Sequence, residues 1–207
     1  GAGPSERRVI EDPGTAEALG EIRDSTSADV DAAVAAAERA LRGPWRRTSP
    51  AERGRLLSNA SGLLAARADH FALVECLNVG KPLNQAQKDV ATAVRFLEYY
   101  AGAADKLEGE TIPLAHDLMA AVMLEPAGVT AHVVPWNAPL AMLVRGLAPA
   151  LAAGCTAVVK PAEATPCSAL MIARLLAEAG LPDGVLEIVT GSSPELGAAL
   201  TREASLD

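Results

Sequence analysis

Residues 128–164 read GVTAHVVPWNAPLAMLVRGLAPALAAGCTAVVKPAEA, and their order of apolar and helical segments decides the fold. The segments GVTAHVVPW and CTAVVKPA are rich in valine and predict two strands. Between them, PLAMLVRGLAPALAAG predicts a helix in spite of Pro149. Two strands joined through a helix are typical of neighbouring parallel strands, because a parallel pair needs a long crossover connection.

The same alternation continues to the end of the chain. TPCSALMIARLLAEAG predicts a helix with Thr165 as N-cap and Pro166 at its first position. GVLEIVTG predicts a third strand and SPELGAALTREA a last helix. A βαβαβα order with nearly continuous apolar strands predicts an α/β domain, a parallel sheet with flanking helices on both faces.

The first half of the chain has a different pattern, with helices and no strand–helix alternation. TSADVDAAVAAAERALRG opens with a threonine–aspartate capping box, and SPAERGRLL opens with serine, proline and glutamate at capping positions. We expect the helix that starts in SPAERGRLL to reach Asn78, and a third helix to cover about 84–104. These boundaries divide the chain into a helical part (1–106), a bridging segment (107–127) and the βαβαβα part (128–207).

The bridging segment, EGETIPLAHDLMAAVMLEPAG, contains two short apolar runs. They predict a two-stranded hairpin outside the main sheet. Because the edges of such a hairpin are free to pair, we expect it to take part in oligomerisation.

The composition excludes several classes of function. The formal charge is −8, with 18 basic and 26 acidic residues and no basic run, which argues against nucleic-acid binding. Every long apolar stretch is interrupted by a charge or a proline, so no membrane span is predicted. The three cysteines (Cys76, Cys155 and Cys167) and three histidines lack metal-ligand spacing, and the odd cysteine number favours a reduced, cytoplasmic setting.

Polar residues follow the first two predicted strands at one edge of the sheet, where ligands of such folds bind. Asn137 ends the sequence PWN, and its amide could donate a hydrogen bond to an oxygen that gains negative charge during a reaction. The alternative is a turn asparagine that caps its own backbone, which the local sequence favours.

Lys160 and Glu163 lie three residues apart in KPAE after the second strand. Together they could bind a diol such as a ribose, with the lysine as donor and the glutamate as acceptor, and the carboxylate would repel a 2′-phosphate. The alternative is a solvated ion pair of little consequence. No G-x-G-x-x-G phosphate motif is present, and only Gly191 and Gly197 lie at the third strand–helix junction.

Four segments together resemble the aldehyde dehydrogenase superfamily, namely NVGKPL, EPAGVTAHVVPWNAPLAM, APALAAGCTAVVKPAEATP and AEAGLPDGVLEIVTG. Their order and spacing match, and DPGTAEALGEI is similar to a turn near the start of the family's sequences. The resemblance covers nearly all of the chain from about residue 9. It implies a Rossmann-like sheet that binds NAD(P) without the usual glycine loop.

The resemblance also implies roles for single residues. Asn137 would donate to the oxyanion formed when a cysteine attacks an aldehyde, and Lys160 and Glu163 would hold the adenosine ribose. The remaining cofactor contacts would come from Val134, Pro135, Trp136, Pro161, Ala162, Gly191 and Ser193. Glu163 favours NAD over NADP.

Two departures from the family pattern are visible. Ser193 stands where many members have a glycine, and the family's nucleophilic cysteine and general-base glutamate would lie beyond Asp207. We therefore expect an incomplete domain without its catalytic domain, taken from a homo-oligomeric (dimeric or tetrameric) enzyme that oxidises an aldehyde. Two alternatives remain open: a non-catalytic short homologue that binds nucleotide or caps an oligomer, and one half of a split enzyme.

Overall fold

The computed structural model describes residues 7–202, except for the side chain of Arg202, and the first half of this range is mainly helical. Its elements are β1 (Arg7–Glu11), β2 (Ala18–Arg23), α1 (Ser27–Arg42), α2 (Pro44–Arg47), α3 (Pro50–Ala66), α4 (Ala68–Val79) and α5 (Leu83–Ala103). β1 and β2 pair in antiparallel fashion and form an N-terminal ribbon. A 3-10 turn over residues 104–106 follows α5.

The predicted capping boxes are confirmed. The Asp29 carboxylate accepts the Thr26 backbone N–H at 2.7 Å, and the Thr26 hydroxyl accepts the Asp29 backbone N–H at 3.3 Å. Ser49 and Glu52 make the same reciprocal pair at the start of α3. Both helices therefore begin where their own sequence satisfies the first free backbone donors.

The expectation of one helix from SPAERGRLL to Asn78 was wrong. The chain leaves helical geometry at Arg67, with φ −114° and ψ 18°, and this break separates α3 from α4. The change of direction lets α4 pack against α5 and α7 with Phe71 and Ala72 buried. Burial of these side chains is a tertiary effect that helical periodicity does not show.

The bridging segment forms the predicted hairpin. β3 (Glu110–Ala115) pairs antiparallel with β4 (Leu118–Val122). Large apolar side chains on it remain exposed, including Leu114 at 60% and Met119 at 69%.

The second half forms the predicted parallel sheet. Its elements are β5 (Val129–Val134), α6 (Pro139–Ala153), β6 (Thr156–Pro161), α7 (Cys167–Glu178), β7 (Leu186–Ile188) and α8 (Pro194–Arg202). The strand order is β5-β6-β7, and both strand pairs are parallel. The third strand is three residues long, shorter than GVLEIVTG suggested.

Helices cover both faces of the sheet. Val158 of β6 packs with residues of α1 and α8, such as Val34 and Leu200. On the other face Val159 packs in a larger core that includes α6 and α7. The expectation of nearly continuous burial holds for β6 alone. Val133 of β5 is 64% exposed, since β5 is an edge strand among the described residues.

Two further findings concern the helices. Thr165 was expected to cap α7, but the N-cap is Pro166 and the buried Thr165 hydroxyl has no hydrogen-bond partner within residues 7–202. A turn places Thr165 N near the Ala162 carbonyl, at 3.2 Å, and this shifts the helix start by one residue. Over the same described residues, we find no helix whose length and apolar character would let it cross a bilayer.

Candidate functional site

The ends of β5 and β6 bring the two predicted site loops together. In the parallel register Val133 lies opposite Lys160 and Val134 opposite Pro161. The PWNA loop (residues 135–138) follows β5. The KPAE loop (residues 160–163) consists of the last two residues of β6 and the two that follow, at the same edge of the sheet. Val134 and Pro161 are buried and fix the points from which the two loops leave the sheet.

The side chains of Pro135, Trp136 and Asn137 in the PWNA loop are exposed to solvent. Trp136 is 63% exposed, and Asn137 is exposed as well. Among residues 7–202 the Asn137 amide has no hydrogen-bond partner, so the self-capping turn is not observed. The amide is therefore free to donate to a ligand.

Lys160 and Glu163 are also uncommitted. Lys160 is half-buried, Glu163 is exposed, and within the described part of the chain neither side chain forms an ion pair. The alternative of a mutual salt bridge is thus not observed. A half-buried ammonium and an exposed carboxylate, both without protein partners, present the donor and acceptor that a diol needs.

The third part of the edge is the junction between β7 and α8. Gly191 is buried, and a Cβ on it would lie 2.9 Å from the Leu196 Cδ2 atom. A side chain at this position would force the end of the Leu196 side chain to move. Ser193 is exposed, and its hydroxyl accepts the Glu195 backbone N–H at 3.1 Å, at the start of α8. Ser193 therefore serves the local helix start in the place where a glycine was expected.

The N-terminal ribbon joins these loops through a pair that the sequence did not reveal. The Arg8 Nε atom donates to the Asp24 carboxylate at 3.1 Å, and Arg8 Nη1 donates to the Glu163 carbonyl oxygen. The same carboxylate accepts the Ser192 backbone N–H at 3.2 Å. We call this arrangement the Arg8–Asp24 clamp, because it connects the KPAE loop to the loop after β7.

Electrostatics at the clamp favour the ionised carboxylate. Burial raises the pKa of Asp24, but hydrogen bonds from Arg8 and Ser192 outweigh it and leave this pKa below its ordinary value. Arg8 lies on β1 and Asp24 directly after β2, so two residues separated by 16 positions give no periodic signal. Only the register of β1 against β2 places them together.

The cysteines of the described chain are poorly placed as nucleophiles. Cys155 is buried, and Cys76 and Cys167 are half-buried on α4 and α7. Burial and the nearby Glu75 raise the pKa of the Cys167 thiol, which disfavours its thiolate. The site therefore presents an amide, an ammonium and a carboxylate without protein partners, and no exposed thiolate among residues 7–202.

Comparison with known proteins identifies the architecture. The sequence model described as "Aldehyde dehydrogenase family" matches residues 2–207. Hydroxyisobutyraldehyde dehydrogenase of Mycolicibacterium austroafricanum is 47% identical over 190 residues, which are 91% of this chain and 37% of that protein. Human retinal dehydrogenase 2 is 42% identical over 96% of this chain and 39% of its own length.

Solved structures agree with the sequence relatives. The NAD+ complex of an aldehyde dehydrogenase from Bacillus cereus superposes with a TM-score of 0.94 at 39% identity, over 98% of this chain and 42% of that one. An NADP-dependent enzyme of Escherichia coli gives a TM-score of 0.94 at 39% identity, over 97% and 42% of the two chains. The chain thus spans about two fifths of the length of the relatives it matches.

The clamp predicts a pH-dependent stability contribution. Because the Asp24 pKa is lowered in the folded state, its contribution is complete above the unfolded value of about 4 and is lost as the pH falls through the folded value. Asp24→Asn should reduce the free energy of unfolding at neutral pH by about 1–2 kcal/mol. The difference from wild type should shrink under acid conditions, as measured by urea unfolding at several pH values.

Glu21→Gln is a matched control on the same ribbon, because the Arg7–Glu21 pair is largely exposed (82% and 57%). It should leave stability unchanged. Amide hydrogen exchange at Ser192 should accelerate in Asp24→Asn alone. Equal exchange in both variants would contradict the clamp.

Proposed function

Because the chain belongs to the aldehyde dehydrogenase family, we propose that it forms the coenzyme-binding part of an NAD-dependent enzyme that oxidises an aldehyde to a carboxylic acid. One observation carries this proposal. Three polar side chains at the carboxyl edge of the sheet (Asn137, Lys160 and Glu163) make no hydrogen bond or ion pair with residues 7–202. Such uncommitted groups on a rigid scaffold are available to a ligand.

The PWNA loop would contact the aldehyde. When a nucleophile adds to the carbonyl carbon, the carbonyl oxygen gains negative charge, and the Asn137 amide would donate a hydrogen bond to it. Asn137 lies between the end of β5 at Val134 and the start of α6 at Pro139, so its backbone is held on both sides. A pre-oriented donor stabilises the developing charge with little reorganisation.

The KPAE loop would hold the cofactor. The Lys160 ammonium and the Glu163 carboxylate fit the hydroxyls of a ribose, and the buried Pro161 fixes the strand end from which they leave. Backbone and side chains of Val134, Pro135, Trp136, Ala162, Gly191 and Ser193 would complete the cleft. When bound, NAD would accept the hydride that the aldehyde loses on oxidation. The oxygen atom that the carboxylic acid product gains would come from water.

The nucleophile and the general base would come from outside the described residues. None of the cysteines within 7–202 presents an exposed thiolate, and by the family resemblance the reactive cysteine and glutamate would lie beyond Asp207. A part of this kind would therefore bind cofactor and stabilise charge, while the covalent step needs the remainder of the enzyme. We further propose a cytoplasmic location, because the odd number of cysteines favours a reduced setting.

Asn137→Ala, introduced into the complete native polypeptide, tests the oxyanion role. Turnover should fall by about 10²–10³, since one oxyanion donor is lost, while NAD affinity stays unchanged. Absorbance of NADH, with propanal and benzaldehyde as probes, measures turnover, and calorimetry measures NAD binding. Asn59→Ala, which removes an exposed amide on α3, is the control. Unchanged turnover in Asn137→Ala would refute the assignment.

Glu163→Gln tests the preference for NAD. Removing one negative charge near a 2′-phosphate relieves repulsion of about 1 kcal/mol, so the ratio of kcat/KM for NAD over NADP should fall about fivefold. Glu98→Gln, an exposed change on α5, should leave the ratio unaltered. A ratio that does not move in Glu163→Gln would count against the ribose contact.

We also propose that the hairpin β3–β4 mediates homo-oligomerisation as a dimer or tetramer. Exposed apolar side chains such as Leu118 (58%) and Met119 (69%) on a hairpin edge favour pairing with a second copy. The double variant Leu118→Asp and Met119→Asp should lower the mass measured by light scattering. Leu73→Asp, at a position 48% exposed on α4, is the control. An unchanged mass would exclude the hairpin as the interface.

Two alternative functions have direct tests. Saturable binding of NAD by a native protein of only 21.2 kDa would favour a non-catalytic nucleotide-binding homologue. Co-purification of a second polypeptide with the missing cysteine would favour a split enzyme. A single longer polypeptide with NADH-forming activity would support the proposed function over both.

A further inference from the structure

Helices α6 and α7 both begin without a cap of their own. Their N-cap residues are Ala138 and Pro166, and neither forms a side-chain capping bond. α6 directly follows the first loop of the candidate site, and α7 begins three residues after the KPAE loop. Free N–H groups at a buried helix start need acceptors, so the bonds must come from elsewhere in the fold.

Glu75 of α4 supplies the acceptor for α6. Its Oε1 atom accepts the backbone N–H of Leu140 at 3.2 Å, and this is the first donor of the helix because Pro139 has no N–H. The other oxygen, Oε2, accepts from the Lys81 ammonium at 3.1 Å. Lys81 also donates to Asp89 at 2.8 Å.

This cluster is buried and carries an excess of negative charge. The Glu75 side chain is 0% exposed and that of Lys81 is 9% exposed. Two carboxylates against one ammonium leave one negative charge, which the positive end of the α6 dipole offsets at Leu140. The Glu75 carboxylate is therefore held firmly in position. Loss of the Lys81 bond would leave a buried charge unpaired, and loss of the Leu140 bond would leave a buried N–H without an acceptor.

Asn78, one helical turn further along α4, does the same for α7. Its Oδ1 atom accepts the Cys167 backbone N–H at 3.2 Å, and its Nδ2 atom donates to the Ala164 carbonyl at 3.0 Å. Asn78 is 4% exposed. It therefore binds both the first donor of α7 and the chain just after Glu163.

We propose that Glu75 and Asn78 are positioning residues that hold the two site loops separately. Glu75 fixes the start of α6 and thereby the direction of Asn137, and Asn78 fixes the KPAE loop that would bind the ribose. This inference rests on the proposed function. It predicts that the two substitutions damage different steps of one reaction, although both residues belong to the same turn of α4.

The test compares Glu75→Ala and Asn78→Ala in the complete, active protein. Glu75→Ala should lower kcat at saturating NAD at least tenfold while the Kd for NAD stays within about twofold, because small misplacements of a catalytic group have large effects on rate. Asn78→Ala should raise the Kd for NAD at least tenfold and keep kcat within about threefold. Glu75→Gln keeps an oxygen for the Leu140 N–H and should restore kcat to within about threefold of wild type.

Ser61→Ala is the control for general destabilisation. Ser61 is buried, and its hydroxyl donates to the Val94 carbonyl at 3.3 Å between α3 and α5, apart from both loops. It should change neither kcat nor Kd after correction for the folded fraction. If an alanine variant does not fold, Glu75→Asp and Asn78→Ser should show the same division with smaller changes of about threefold.

The same change of kcat and Kd in both variants would overturn the inference, as would no change in either. The two proposals fail in different ways. Absence of aldehyde-dependent NADH formation by the wild-type protein would refute the proposed function, whereas wild-type activity without divided effects would refute only the positioning roles.

Discussion

Burial of strand β6 between two layers of helices is the constraint on which the site depends. Ala157, Val158 and Val159 have no exposed surface, and they alternate between the α1–α8 layer and the α6–α7 layer. A shift of one residue would exchange the two sets of side chains, so the register is strongly specified. The position of Lys160 near the carboxyl end of β6 follows from this register.

The start of β6 is fixed by side chains from the helical half. The Trp45 indole N–H donates to the Cys155 carbonyl at 3.0 Å, and the Arg53 Nε atom donates to the Ala152 carbonyl at 2.9 Å. Burial lowers the pKa of Arg53. Its Nε atom nevertheless bonds a carbonyl oxygen at the end of α6, the negative end of that helix dipole, and its Nη1 atom donates to the Thr48 carbonyl at 2.8 Å. The helical half thus contacts the sheet at the start of β6 and supports the site loops at the carboxyl end of this strand.

Local patterns predicted what local chemistry determines. The sequence predicted the capping boxes at Thr26 and Ser49, because residues three positions apart form these hydrogen bonds. It also predicted the order of strands and helices, which follows from the local pattern of apolar residues. The sequence did not predict the break at Arg67, because packing of α4 determines it. Nor did it predict that α7 starts at Cys167, since the turn after Ala162 contributes to this start. The loops that carry Asn137 and Lys160 were located from the strand ends, but their supports were not.

Those supports lie far away in sequence. Glu75 is 65 residues from Leu140, Asn78 is 89 from Cys167, and Arg8 is 155 from Glu163. One signal was nevertheless present, because Glu75 is a charged residue within the apolar segment FALVECLNV. A buried charge needs a compensating partner, and here the partners are Lys81 and a helix that lacks its own cap. A helix start without a capping residue, beside a polar loop, therefore indicates that a distant side chain holds that loop.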